Sequence, residues 1–174
     1  MENYWTRIIN WLSENAPDMI NNINNGANLK EIDHLNYIID IRLPDDFIDF
    51  YTIHNGQVPY TKGLIDGEEL LSIERIVDEW SIWKGLINSN AFVGIVSNPD
   101  IGIKNDWYNK FWIPITYDGA GNHYCIDLDP AEGGTKGQVI RVWHDNAQRS
   151  MEASSFRKWI SFFVEDIEEG RYQY

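Results

Sequence analysis

The sequence predicts one α+β domain over residues 1–174, with a central, mostly antiparallel sheet flanked by helices near both ends of the chain. Three observations carry this. Apolar residues recur at helical spacing near both termini, and three strand-like runs lie close together between residues 112 and 143. No repeat or linker divides the 174 residues, a length that suits one core.

The elements follow in order. Trp5, Ile8, Ile9 and Leu12 stand at i, i+3, i+4 and i+7, the stripe of an amphipathic helix that Pro17 ends. The Asn-rich stretch from Asn21 to Asn28 reads as a loop. Asn28, three residues before Glu31, fits a helix cap with a reciprocal partner, and Ile32, Leu35, Ile38 and Ile39 continue that helix. Leu43-Pro44-Asp45-Asp46 opens a third helix, because proline at the first helical position loses no hydrogen bond and two aspartates face the positive end of the dipole. Phe47, Phe50, Tyr51 and His54 form its stripe, and Asn55-Gly56 stops it.

Residues 57–71 read as short strands and turns, with Gly63 and Asp66-Gly67 as turn signals. Ser72 then caps a long helix whose buried stripe is Ile73, Ile76, Val77, Trp80 and Ile87, with Trp83 at a partly exposed edge. From 88 to 111 the chain is polar and broken by Gly94, Pro99 and Gly102, which predicts loops with one or two short strands. Three strands follow: Trp112–Thr116, where Pro114 implies an edge or a bulge, then His123–Leu128, then Gln138–Trp143. Asp118–Asn122 turns between the first two, and strands this close pair antiparallel. The last helix, capped by Ser154 or Ser155, shows a broad apolar face of Phe156, Trp159, Ile160, Phe163, Val164 and Ile167 before Gly170 ends it.

Twenty-seven acids against 14 bases give a net charge of −13. Phosphate and anionic lipid would be repelled, which argues against direct nucleic-acid or membrane binding. The field instead steers a basic protein inward, although acidity also simply keeps a protein soluble. Residues 42–80 concentrate nine acids (Asp45, Asp46, Asp49, Asp66, Glu68, Glu69, Glu74, Asp78, Glu79) against Arg42, Lys62 and Arg75. The final helix places Glu165, Asp166, Glu168 and Glu169 at its C-terminal end, where they oppose the dipole, so they are either tolerated or kept for a partner. Eight Trp, nine Tyr and seven Phe exceed an ordinary core's needs and leave rings for an interface. The single Cys125 forms no intrachain disulfide, no signal peptide is visible, and no apolar run nears the ~20 residues of a membrane span, so the expectation is a cytoplasmic protein.

No catalytic, metal or cofactor site is expected. His123, Cys125 and Asp127 share one strand face and come nearest to a nucleophile–base array, but this spacing is ordinary in strands and a lone cysteine is usually a small buried hydrophobe. His34, His54, His123 and His144 are scattered, without HExxH or a Cys pair. Asp118, Asp127 and Asp129 do not follow an EF-hand loop, and Gly119 and Gly121 lead into a strand rather than a helix N-terminus.

The ordered pieces resemble the SUKH superfamily, in the branch named after fungal Smi/Knr cell-wall regulators. The likeness runs through Leu29–Ile41 into Leu43-Pro44-Asp45-Asp46-Phe47, then Tyr51–Gln57, Leu70–Ile76 with Trp80, Trp112-Ile113-Pro114-Ile115, Asp118–Asn122, Cys125–Pro130 and Gly137–Ile140, covering roughly residues 28–165. It implies a SUKH-like α+β fold and a protein-binding role without catalysis. Pro44, Asn55, Gly56, Trp112, Pro114, Asp118, Gly119, Gly121, Asn122, Asp127 and Pro130 carry the signature and are expected to be scaffold.

Within the family it resembles, bacterial members are mostly immunity proteins and fungal members are regulators with long extensions, which these 174 residues do not show. The leading expectation is therefore an immunity protein that occludes a basic cognate toxin, such as a nuclease. The alternative is a regulatory adaptor related to cell-wall synthesis regulators. The expected contact surface is Asp45, Asp46, Asp49, Glu68, Glu69, Glu74, Asp78 and Glu79, with Trp83 as an aromatic anchor.

Overall fold

In the computed structural model, which describes residues 1–172, the first apolar stripe becomes α1 (Glu2–Asn15), burying Trp5, Ile8 and Leu12. A 3₁₀ helix over Pro17–Asn22 occupies part of the expected loop. Helix α2 (Leu29–Ile39) starts on a reciprocal cap: Asn28 Oδ1 accepts the Glu31 N–H at 3.1 Å, and Glu31 Oε2 accepts the Asn28 N–H at 2.7 Å. Pro44 is the N-cap of α3 (Asp45–Tyr51) rather than its first helical residue. Phe47, Phe50 and Tyr51 are buried and pack around Phe156, whose ring centroid lies 5.4 Å from Phe47 and 5.3 Å from Phe50.

The chain then makes β1 (Glu69–Leu70) and α4 (Ile73–Asn88), which Ser72 Oγ caps by accepting the Arg75 N–H. Strands β2 (Asn98–Pro99), β3 (Trp112–Pro114), β4 (Thr116–Tyr117), β5 (His123–Asp127), β6 (Gln138–Val142) and β7 (Gln148–Ala153) precede α5 (Phe156–Glu168). Five strands form one sheet in the order β2-β7-β6-β5-β3, antiparallel except for the β2–β7 pair, while β1 pairs with β4. Pro114 lies on the edge strand β3, where its missing N–H costs no ladder bond.

The architecture is thus α+β, with both sheet faces covered. Ile113, Ile126 and Val139 point into the main core with α1–α3, the first half of α4 and α5. Trp112, Cys125, Ile140 and Val142 point the other way, into a smaller cluster with Trp83, Ile103 and Tyr108. That second cluster corrects one expectation. Trp83 is only 6% exposed, because the segment after α4 folds back and stacks the Tyr108 ring on its indole at 4.3 Å. Among the described residues no helix is long and apolar enough to cross a membrane.

The signature residues lie at turns, caps and packed positions. Gly56 has φ +60° and passes so close to the next strand that a Cβ would stand 2.4 Å from the Leu71 carbonyl oxygen. Asn55 Oδ1 accepts the Ile73 N–H at 2.8 Å, tying the end of α3 to the start of α4. Asp118 Oδ1 accepts the N–H groups of Ala120 and Asn122, closing the turn in which Gly119 and Gly121 have φ 87° and 100°. Burial would raise the Asp118 carboxyl, but the donated N–H bonds from Asn122 and Ala120 outweigh it and hold it below the usual range. Trp112 is fully buried, Pro44 packs beneath Gly137, and Pro130 packs beside Gly134. Asp127 accepts the Gln138 amide at 2.8 Å and the Asp129 N–H at 2.9 Å.

A candidate partner-binding groove

The acidic stretch expected to form the contact surface is divided by folding. Glu68, Glu69 and Glu79 are buried at 6%, 6% and 7% exposure. Glu68 pairs with Arg141 at 2.5 Å and accepts the Thr116 hydroxyl at 2.7 Å. Glu69 and Glu79 share Arg75, at 3.2 and 2.8 Å. A carboxylate leaves water at tolerable cost only when paired in this way, and these three acids are engaged inside the fold rather than standing exposed with their neighbours. Burial still pushes the Glu68 and Glu79 carboxyls up, against the pull of their arginines. Trp83 is likewise interior. Asp46 accepts the Arg157 N–H at 2.8 Å and pins α3 to the start of α5. Asp45, Asp49, Glu74 and Asp78 remain exposed, and Glu74 and Asp78 border a cleft between α2 and α4 with Glu31 and His34.

The surface that does combine acids with rings lies elsewhere. A cleft of about 280 Å³ opens between α5, the adjacent edge of β5 and β7, and the turn before β1. Tyr124 of β5 and Trp159, Phe162 and Phe163 of α5 give its aromatic lining; Asp66, Glu152, Glu165 and Asp166 give its carboxylates; Arg171 stands at the rim. Helix periodicity explains the α5 contribution. Phe156, Ile160, Val164 and Ile167 turn fully into the core, Trp159 and Phe163 sit at its margin under the cleft, and Phe162 and Asp166 stand further out.

Each acid is positioned by its local structure. Asp66 and Gly67 both have positive φ (53° and 75°), a hairpin turn closed by the Ile65–Glu68 bridge, and the turn brings Asp66 Oδ2 2.8 Å from the Tyr124 hydroxyl that donates to it. Glu152 stands on the α5 face of β7, half-buried, and its carboxylate makes no hydrogen bond or direct ion pair among the described residues. Desolvation raises its carboxyl, a shift that Arg141 opposes and Asp66 reinforces. Asp166 is held by Arg171, whose Nε donates at 2.6 Å, and Glu169 pairs with the same guanidinium. Burial and Asp66 together drive the Tyr124 phenol far above its ordinary range, so it stays a neutral donor. Beneath it the Arg141 guanidinium lies 4.5 Å from the ring centroid, already committed to Glu68.

The strand face of His123, Cys125 and Asp127 is differently employed. Trp83 Nε1–H donates to His123 Nε2 at 3.0 Å, and His123 Nδ1 lies 2.7 Å from the Thr116 carbonyl oxygen, which fixes the neutral tautomer with the proton on Nδ1. Burial lowers this imidazole to about 4. Cys125 is fully buried, and desolvation pushes its thiol well above the thiolate range. Each group is thus engaged separately. Among the described residues, no three His, Cys, Asp or Glu side chains gather as metal ligands.

Sequence reasoning missed the groove because Asp66, Tyr124, Glu152 and Trp159 come from four separate segments. Its only local traces are the surplus of aromatic residues and the acids at the end of α5.

A family model described as SMI1 / KNR4 family (SUKH-1) matches residues 26–161. Curated relatives align over nearly the whole chain. A "Glucan synthesis regulatory protein" of Neurospora crassa is 26% identical over 97% of this chain and 38% of its own length. The "Cell wall biosynthesis/cell cycle regulator smi1" of Schizosaccharomyces pombe is 28% identical over 97% of this chain and 36% of its own length. The "Cell wall assembly regulator SMI1" of Saccharomyces cerevisiae is 23% identical over 97% and 40%. The chain therefore spans between about a third and two fifths of these relatives.

Proposed function

The chain belongs to the SMI1/KNR4 (SUKH-1) family, and on that premise we propose that it is a non-catalytic regulatory module that works by binding another protein, in the manner of an adaptor for the control of cell-envelope synthesis. The observation that carries this reading is the alignment of nearly all of this chain with proteins named as regulators of glucan synthesis and cell-wall assembly. The relatives favour the regulatory alternative over the toxin-neutralising expectation, for which none of these names gives support. The groove fits such a role: rings desolvate area at low entropic cost, and carboxylates select a basic partner and speed its approach.

Affinity capture from the native cells at physiological salt tests the reading. Wild type is compared with a double variant, Glu152→Lys with Glu165→Lys. Both positions lie in the groove; a lysine near the end of α5 suits the helix dipole, whereas a lysine at half-buried Glu152 stands near Arg141, so capture is compared below the thermal midpoint of both proteins. The proposal expects a stoichiometric partner that the variant no longer recovers. Equal recovery by both, or turnover of a small molecule by the purified chain, contradicts it. A secreted toxin as the partner would replace the regulatory reading with the neutralising one.

A further inference from the structure

We propose that the groove between α5 and the sheet is a receptor for an arginine side chain of the partner, and that the chain's own Arg171 competes for it. This rests on the protein-binding reading above and names the chemistry the surface recognises. The lining offers what a guanidinium needs and little that any other group would use. A planar, weakly hydrated cation gains from ring faces and from carboxylates that accept its fork of N–H donors. Here Phe162, 39% exposed with Lys158 Nζ over one face at 4.4 Å, and the more deeply set Trp159 and Tyr124 supply rings, and Asp66, Glu152, Glu165 and Asp166 supply acceptors around one cleft of about 280 Å³. An anion would meet four carboxylates, and a purely apolar side chain would strip water from them without compensation.

Two further observations sharpen the assignment. Glu152 is half-buried, its carboxyl raised by desolvation against the pull of Arg141, yet the carboxylate makes no hydrogen bond or direct ion pair among the described residues. A partly dehydrated carboxylate without a partner gains more than a solvated one when a cation arrives. Arg171 also shows the site's preference from within. Its guanidinium already sits at the rim, donating from Nε to Asp166 at 2.6 Å and pairing with Glu169. The arriving arginine takes the inner position between Glu152 and the α5 rings, and Arg171 weakens it by neutralising Asp166 and by like-charge repulsion. Lysine, a compact and strongly hydrated charge, uses the rings less well and ranks second.

The test uses N-acetylarginine methylamide as probe, with the lysine and citrulline analogues as controls, titrated into the ¹⁵N-labelled 174-residue chain and followed by NMR. The arginine probe should shift the Trp159 indole N–H and the amides of Tyr124, Glu152 and Phe162, the lysine probe less, and the isosteric but uncharged citrulline not measurably. Glu152→Gln should weaken the arginine probe roughly two- to five-fold, the range of a partly exposed ion pair, and Arg171→Ala should tighten it by a similar factor. The opposite signs matter, because general loss of structure weakens binding in both variants. Shifts centred outside the groove, equal shifts from citrulline, or weaker binding in Arg171→Ala overturn the assignment. A partner lost from the Glu152→Lys, Glu165→Lys variant in the capture experiment, together with a negative arginine titration, would sink this inference alone and leave the protein-binding reading standing.

Discussion

Replacing His123 by glutamine removes one titration from the interior while keeping a hydrogen-bonding group beside Trp83 and Thr116. In wild type the imidazole is fully buried, accepts the Trp83 indole N–H and donates to the Thr116 carbonyl oxygen. A second ring proton would face the indole N–H head on, in a fully buried site, and burial accordingly lowers the group from 6.5 to about 4. The unfolded chain therefore binds this proton more readily than the native one. Stability from His123 is complete above pH 6.5 and is lost as pH falls through about 4. The gap, at about 1.36 kcal/mol per pH unit, sets a ceiling of about 3 kcal/mol, of which about 2 kcal/mol is gone by pH 5.

The buried carboxyls act in the opposite sense. Glu68, Glu79, Asp127 and Glu152 are all raised by desolvation, so acidification through the same range favours the native state at those sites. The difference between wild type and His123→Gln isolates the imidazole, to the extent that the substitution leaves the carboxyls undisturbed. Urea unfolding monitored by tryptophan fluorescence at pH 7 and pH 5 should show the stability gap between the two proteins narrowing by about 2 kcal/mol at the lower pH. An NMR titration of the wild-type imidazole gives a check that does not depend on the variant folding. A gap that stays constant with pH, or a His123 ring that titrates near 6.5, refutes the reasoning.

Three other outcomes follow from the same packing. Arg75→Met strands Glu69 and Glu79 without their shared cation and should cost about 3–5 kcal/mol by urea unfolding at neutral pH, with part of the loss recovered on acidification as Glu79 takes up a proton. Gly56→Ala forces a Cβ against the Leu71 carbonyl at positive φ and should lower stability by more than about 2 kcal/mol or prevent soluble expression; a thermal midpoint equal to wild type would contradict the close approach. Cys125 should react with a thiol reagent at neutral pH only as fast as the protein opens, and promptly once guanidinium chloride unfolds it; fast native labelling would contradict its burial and raised thiol.

Local chemistry was readable and long-range pairing was not. The capping residues Asn28, Ser72 and Ser155 act within one turn, so their helices could be placed from sequence, and Pro114 marked an edge because its missing N–H is a local fact. Strand β7 went unseen because Gln148-Arg149-Ser150-Met151-Glu152-Ala153 lacks apolar alternation. It is defined by its ladders to β6 and β2, with buried Arg149 donating to the carbonyls of Trp107, Asn146 and Gln148. Glu68 looked like surface charge because its partner Arg141 is distant along the chain. Trp83 looked like an edge residue because Tyr108 covers it only after the intervening segment folds back. The groove was hidden for the same reason: charge counting found the densest run of acids, whereas folding buried three of them and gathered others around the rings of α5.

The most direct measurement is hydrogen–deuterium exchange on the complex with the protein recovered from native cells, compared with the free chain. The account predicts new protection in residues 63–67, 123–125, 150–153 and 159–166, the segments that meet at the acidic, ring-lined cleft. Unchanged exchange there, with protection on the exposed side of α4 or around Asp45 and Asp49 instead, would contradict it.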